Sequence, residues 1–167
     1  TAKPQPSRPG DSGRVDTTAG CEPTAPPLLV RRAGPASERD VAALLREVPL
    51  DSEEVADLMW RDRVLVLSDL TLPPTAPPLA AAAFRLRRPA GTAQLAGIGV
   101  AVHLRRTGLA RRLLTGALTL LQAEGIERVQ ARAAPGGAGA SLLASIGFTA
   151  DLGTARADGC TRLVLLL

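Results

Sequence analysis

A strand that runs directly into a long amphipathic helix constrains this chain more than any other feature of its sequence. Small and branched apolar residues dominate Thr92–Val102, which predicts a strand. Gly108–Glu124 predicts a helix, because its apolar residues share one face: Leu109, Leu113, Ala117, Leu120 and Leu121. Gly125 supplies the stop after this helix, and Arg128–Ala133 predicts the next strand. A core in which helices pack on a sheet is therefore expected.

Shorter segments on either side extend this pattern of strands and helices. Further strands are predicted at Leu28–Arg32, Arg63–Leu67, Leu79–Arg87 and Arg162–Leu167, and further helices at 37–48, Ser52–Trp60 and Gly139–Ile146. Ser37 is placed to cap the first helix, with Asp40 three positions on. Gly97 and Gly99 indicate a bulge or a close backbone approach, and the Asp-Gly pair at 158–159 predicts the turn of a final hairpin. The order predicts an α/β fold, a mixed sheet of about seven strands with helices on both faces.

Composition separates a leading segment from one folded domain. Residues 1–27 hold six prolines and three glycines and lack hydrophobic periodicity, so we expect a disordered N-terminal tail. The chain as a whole is 46% apolar, which is enough for one sizeable core. In a chain of 167 residues, we therefore expect a single domain over 28–167.

Scarce residue types exclude several classes of chemistry. His103 is the only histidine, so a zinc site or a His-dependent triad lacks partners and no metal is expected. The chain has no tyrosine to serve as a catalytic acid. Cys21 and Cys160 allow at most one disulfide, and we expect free thiols in a reducing compartment. No uncharged apolar run approaches the length of about 18 residues that a spanning helix needs, and no apolar signal segment is recognisable, so we expect a cytoplasmic protein without a membrane partner.

The turn between the strand and the long helix, 105–110, has the composition of an anion site. The first turn of a helix has unpaired N–H groups and the positive end of the helix dipole. Gly108 and Ala110 leave this backbone accessible to a pyrophosphate, and Arg105 and Arg106 add charge-assisted hydrogen bonds. Neither a Walker loop nor a Gly-x-Gly-x-x-Gly dinucleotide motif is present. A basic helix start that faces solvent is the alternative interpretation.

The hexapeptide Arg105-x-x-Gly108-x-Ala110 resembles the Arg/Gln-x-x-Gly-x-Gly/Ala signature of GCN5-related N-acetyltransferases (GNAT), which grips the pyrophosphate of acetyl-CoA. Leu142–Phe148 resembles the later Gly-Phe motif of that family, and the resemblance covers roughly 28–167. It implies a mostly antiparallel sheet of the GNAT type, in which one strand splays away from its neighbour. It also implies the cofactor-binding residues Val100, Val102, Arg105, Arg106, Thr107, Gly108, Leu109 and Ala110.

The resemblance further implies transfer of an acetyl group from acetyl-CoA to a primary amine by direct attack in a ternary complex. Backbone groups around Val100 and Val102 would pair with the pantetheine arm, and a free N–H there would stabilise the oxyanion. The catalytic positions depart from the family pattern. Leu143 stands where the family often has Tyr, Gly136 stands where it often has Asn, and Thr92–Val102 lacks the usual Glu. The catalytic residues therefore stay unassigned.

Two other functional classes stay open beside the transferase. A module that binds CoA or an acyl-CoA without efficient transfer would account for the missing Tyr, Asn and Glu. A scaffold or nucleic-acid domain would use only the arginines near the turn, which are Arg105, Arg106, Arg111 and Arg112. The scarcity of aromatic residues for base stacking argues against nucleic acid as a partner.

Individual side chains suggest further roles. His103 could act as a base and Cys160 as an acyl-accepting nucleophile, although a small strand residue is the plainer interpretation of Cys160. The second helix is acidic and could attract a cationic amine through Glu53, Glu54 and Asp57. The apolar last strand, 162–167, could pair across a homodimer.

Overall fold

The computed structural model describes residues 25–48, 50–61, 63–151 and 159–167. Most of the tail predicted to be disordered lies outside these ranges, while Pro27 accepts a hydrogen bond from the N–H of Leu70. The strands are β1 (Leu28–Arg32), β2 (Arg63–Asp69), β3 (Ala80–Arg87), β4 (Thr92–Val100), β5 (Arg128–Ala133), β6 (Thr149–Ala150) and β7 (Thr161–Leu166). The helices are α1 (Glu38–Leu44), α2 (Ser52–Arg61), α3 (Leu109–Ala123) and α4 (Ala138–Ile146).

The strands form one mixed sheet in the order β1-β2-β3-β4-β5-β7-β6. Every pair in the described sheet is antiparallel except β4 with β5. The two parallel strands are joined by α3, in the way that a crossover helix joins parallel neighbours. The prediction of a mixed, mostly antiparallel sheet of about seven strands with helices on both faces is confirmed.

Two apolar cores cover the two faces of the sheet. The first core packs α3 and α4 on one face, and the second packs α1 and α2 on the other. In β3 the side chains alternate between them, since Ala80 and Ala82 belong to the first core and Ala81 and Ala83 to the second. All four alanines are fully buried. Small side chains on the central strand therefore let helices approach the sheet closely from both sides.

The structure has both a bulge and a close backbone approach around Gly97 and Gly99 in β4. The register of β3 against β4 shifts between Ala83 and Phe84, which is a bulge. A Cβ at Gly99 would overlap the backbone carbonyl of Leu44, and one at Gly97 would lie 2.6 Å from a methyl carbon of Val48. The two glycines therefore let the end of α1 and the segment after it press directly on β4.

Several boundaries differ from the sequence-based predictions. β4 ends at Val100 instead of Val102, because Leu104 donates its N–H to the carbonyl oxygen of Ala101 and closes a 3₁₀ turn. α1 ends at Leu44, although the apolar pattern continues to residue 48. The side chain of Ser37 makes no capping hydrogen bond.

The structure also adds detail to the predictions for the long helix and the last hairpin. α3 buries Leu114 and Leu118, while Leu120, which was expected on the apolar face, is 37% exposed. The hairpin of β6 and β7 is confirmed, and part of its predicted turn, at residue 158, lies outside the described residues. β7 lies between β5 and β6. Its pairing with a second copy in a homodimer stays a prediction.

In the described part of the chain, no helix combines the length and the apolar character needed to cross a membrane.

Candidate active site

Strands β4 and β5 lie side by side at their start and then separate. Their parallel pairing joins Thr92–Gln94 to Arg128–Gln130 and goes no further. β4 continues along β3 to Val100, while β5 continues along β7 to Ala133. The two strands therefore diverge, and a gap opens between their C-terminal ends.

The backbone of Val100 faces this gap. Ala101 donates its N–H to the carbonyl oxygen of Leu79 at 3.0 Å, so this N–H points toward the residue that precedes β3. Successive residues of a strand direct their N–H and C=O groups to opposite edges. The N–H and C=O of Val100 therefore point away from β3, where an extended ligand can pair with them as an added strand would.

The turn that follows β4 contains two residues in the left-handed region. Arg106 has a φ of 63° and Gly108 a φ of 83°. A residue with a side chain rarely adopts such a φ, and strain of this kind concentrates at ligand sites. The Thr107 hydroxyl donates a hydrogen bond to the carbonyl oxygen of Leu104, which fixes the turn. A Cβ added at Gly108 would meet no atom within 4 Å, so the backbone there is open to a ligand.

Helix α3 begins at this open backbone. The N–H of Arg112 donates to the carbonyl oxygen of Gly108 at 3.1 Å, so the N–H groups that precede Arg112 have no acceptor within the helix. These N–H groups and the positive end of the helix dipole together form a site for an anion. The side chains of Arg106 and Arg112 are exposed beside it. This set of donors fits a pyrophosphate.

The predicted cofactor-binding residues fall into two groups. Arg105, Arg106, Thr107, Gly108, Leu109 and Ala110 form one continuous turn and helix start, and Val100 lies at the end of the adjoining strand. Val102 is 72% exposed and opens the 3₁₀ turn, where its carbonyl oxygen accepts the N–H of Arg105 at 3.4 Å. Val100 therefore has the geometry of a strand-like partner, and the pairing role of Val102 stays a prediction.

The side chain of Arg105 contacts both the end of β4 and the segment between α1 and α2. Its Nη2 lies 2.9 Å from Oε2 of Glu47, in the segment that joins α1 to α2. Its Nε donates to the carbonyl oxygen of Val100 at 3.4 Å. The guanidinium thus bridges the end of β4 and the α1–α2 segment.

Glu47 is the residue at this site that the sequence reasoning missed. It lines a cavity of about 470 Å³ beside the end of β4. The ionisable residues that line the same cavity are Asp40, Arg46, Glu47, His103 and Arg105. No local motif marks Glu47, because its position depends on how α1 packs on β4.

The positions that the family pattern links to catalysis carry no acid or base here. Leu143 is 4% exposed and belongs to the core that α3 and α4 form with the sheet. Ser141 and Ser145 are exposed, so they lie off the face of Leu143, and the Ser145 hydroxyl donates to the carbonyl oxygen of Leu142. β4, with the sequence TAQLAGIGV, contains no carboxylate.

The other candidates take ordinary positions. His103 is exposed in the 3₁₀ turn and lines the cavity beside Glu47. Glu54 pairs with Arg85 at 3.1 Å and Asp57 pairs with Arg61 at 2.9 Å. Arg85 lies opposite Gln94, at the start of β4, so this acidic face of α2 is far from the open end of the gap. Within the described ranges, no group of three or more His, Cys, Asp and Glu side chains is placed to hold a metal ion.

Solved structures share this fold at low sequence identity. The ribosomal-protein-S18-alanine N-acetyltransferase from Escherichia coli gives a TM-score of 0.66 at 17% identity, over 83% of this chain and 93% of that chain. A Bacillus subtilis acetyltransferase in complex with CoA gives 0.68 at 15% identity, over 84% and 99%. A GNAT family N-acetyltransferase (YhbS) from Escherichia coli in complex with CoA gives 0.67 at 22% identity, over 86% and 83%.

The sequence itself matches a family model. Residues 53–148, more than half of the chain, match the model of the acetyltransferase (GNAT) family. The match includes α2 except its first residue, the strands β2 to β5, the turn before α3 and the Gly147-Phe148 pair. No curated protein matches the sequence. The family model and the arrangement of the gap and the turn agree, and this chain belongs to the GNAT family of acetyltransferases.

Proposed function

We propose that this protein transfers an acetyl group from acetyl-CoA to a primary amine by direct attack within a ternary complex. The observation that carries the proposal is the gap between β4 and β5, which opens beside the start of α3. An extended chain with a pyrophosphate at one end matches both parts of this site. Membership in an acetyltransferase family makes acetyl-CoA the expected acyl donor.

The chain's own backbone would do most of the binding. The pyrophosphate would accept hydrogen bonds from the N–H groups at the start of α3, next to the open backbone of Gly108. The pantetheine arm would pair with the N–H and C=O of Val100. This placement would direct the thioester carbonyl at the inner part of the gap.

The reaction then needs few side chains. The amine nitrogen attacks the thioester carbonyl carbon, a C–N bond forms, and the C–S bond breaks. A second backbone N–H just after β4, such as that of Val102, would stabilise the oxyanion by roughly 3 kcal/mol, as other oxyanion donors do. The thiolate leaves and takes a proton from water, which is feasible because a thiol has a pKa of about 8.5. The amine loses its proton to solvent before or during the attack.

A second function is favoured by one specific observation. Leu143 is buried and apolar at the position where the GNAT pattern often has a tyrosine that acts as an acid. β4 has no carboxylate either. A domain of this kind could hold CoA or an acyl-CoA while transferring the acyl group slowly or not at all. Free thiol release from acetyl-CoA in the presence of a panel of amines separates the two functions, because only the transferase raises it above the background without amine.

The binding site is tested at Gly108. Acetyl-CoA should raise the melting temperature of the natural protein, because a ligand that binds the native state stabilises it. Gly108→Glu should abolish the shift by placing a carboxylate at the anion site. Gly108→Gln is the matched control: it carries the same strain at φ 83° and nearly the same volume, but no charge, so it should keep part of the shift. No shift in the natural protein at saturating acetyl-CoA would contradict both functions.

A further inference from the structure

One ion pair ties the turn before α3 to the opposite face of the sheet. The guanidinium of Arg105 lies 2.9 Å from the carboxylate of Glu47, and its Nε also reaches the carbonyl oxygen of Val100. Glu47 comes from the segment after α1, which presses on β4 where Gly97 and Gly99 lack side chains. Arg105 therefore links the proposed cofactor turn to the α1–α2 segment.

Two anions would compete for the guanidinium of Arg105. It belongs to the turn that would bind a pyrophosphate, and it is held by the Glu47 carboxylate. The two side chains are 41% and 68% exposed, so water screens their attraction and the pair is weak. A pyrophosphate carries more charge than a carboxylate and can take the guanidinium through charge-assisted hydrogen bonds.

The carboxylate released by this exchange would lie at the edge of a cavity. Glu47 and Asp40 are the acidic residues that line the cavity, and Arg46, Arg105 and His103 are the basic ones. The cavity reaches Val100, whose backbone faces the gap. When Arg105 is drawn away, the net charge of the cavity lining becomes more negative, and the cavity then favours a cation.

We infer that Glu47 binds the amine acceptor, and that acetyl-CoA makes it available by drawing Arg105 away. This role rests on the proposed function, since it requires both a pyrophosphate at the turn and an amine in the cavity. The acceptor is then a cationic amine whose ammonium group donates to the Glu47 carboxylate. Acceptor binding would follow cofactor binding.

The exchange is tested by measuring CoA affinity with isothermal titration calorimetry. Glu47→Gln removes the competing anion, so CoA should bind about two- to fivefold more tightly, the size expected for an exposed ion pair. In the Arg105→Gln background, Glu47→Gln should leave CoA affinity unchanged, because no pair is left to break. Glu38→Gln is the matched control: it removes the same charge from the start of α1, away from the cavity, and should leave CoA affinity as in the natural protein.

The acceptor role is tested by kinetics with the amine that gives the fastest thiol release. Glu47→Gln should raise the KM for that amine by about fivefold with little change in kcat, and Glu38→Gln should change neither. Tighter CoA binding together with a raised amine KM is not expected of a residue that only stabilises the fold. Unchanged or weaker CoA binding in Glu47→Gln, while the natural protein binds CoA, would overturn this inference alone. Absence of CoA binding by the natural protein would overturn the proposed function as well.

Discussion

Leu143 fills the position where related acetyltransferase motifs often carry a tyrosine. The side chain is 4% exposed and packs within the core of α3, α4 and the sheet. A hydroxyl at this position could protonate the departing thiolate, and a positioned acid of this kind contributes roughly 10²-fold or more. An aromatic ring in this core also adds volume, which costs about 1–3 kcal/mol of stability.

We therefore expect Leu143→Tyr to speed thiol release and to lower the melting temperature. Leu143→Phe is the matched control, because it adds the same ring without the hydroxyl. Tyr should exceed Phe in rate by about 10- to 100-fold at similar stability. The measurements are thiol release with saturating acetyl-CoA and amine, and thermal unfolding of both variants. Equal rates in the two variants would show that the hydroxyl does not reach the sulfur.

The sequence predicts part of this site and leaves part of it hidden. The small residues Gly108 and Ala110 after a strand indicate an open helix start, and the structure places them there. The left-handed φ of Arg106 has no signal in the residue type, since arginine rarely adopts it. The contact between Arg105 and Glu47 depends on tertiary packing, and no local spacing encodes it.

At the scale of elements, the contact of α1 with β4 leaves no space for a side chain at Gly99. A Cβ at Gly99 would overlap the backbone carbonyl of Leu44, which cannot move without shifting α1. Gly99→Ala should therefore lower the free energy of unfolding by about 1–3 kcal/mol. Gly139 is exposed in α4 with no atom within 4 Å of an added Cβ, so Gly139→Ala should raise stability by about 0.5–1 kcal/mol.

Urea unfolding of both variants provides the test. If Gly99→Ala were as stable as the natural protein, α1 would have room to shift on β4, and the close packing described above would be wrong. Gly139→Ala controls for the general effect of exchanging glycine for alanine, because both positions lie within regular secondary structure.

The same contact explains why the sequence overestimates α1. Val41 and Leu45 continue as an apolar pattern to Val48, which predicts one helix to that point. α1 ends at Leu44, and Val48 packs from the following segment against Gly97. A buried loop and a buried helix face need the same apolar residues, so periodicity alone does not separate them. For β1 to β5 and β7, the sequence predicts the bounds to within a few residues of those in the structure.

At the scale of the whole molecule, few side chains are suited to exchange a proton between about pH 6 and pH 10. The chain has no tyrosine, and His103 is its only histidine. With acetyl-CoA and amine both kept saturating, so that acceptor binding does not limit the rate, thiol release should rise with pH from about 6 to about 10 as the free amine fraction grows, and it should not fall again on an alkaline limb. His103→Gln should follow the same profile. A bell-shaped profile in the natural protein would reveal an acid that neither the sequence nor the structure indicates, and a shifted profile in His103→Gln would make His103 the base.

The short pairing of β4 with β5 divides the sheet into two leaves. In the described residues, β1 to β4 form one leaf and β5, β7 and β6 the other, and the register between them spans only Thr92–Gln94. Local opening costs least where few hydrogen bonds must break, so amide hydrogens along this seam should exchange sooner than those of the buried strand β3. A bound pantetheine arm would add hydrogen bonds across the seam. Acetyl-CoA should therefore slow exchange in β5 and the end of β4 far more than in β1 and β2, which makes hydrogen exchange a map of the ligand's path through the sheet.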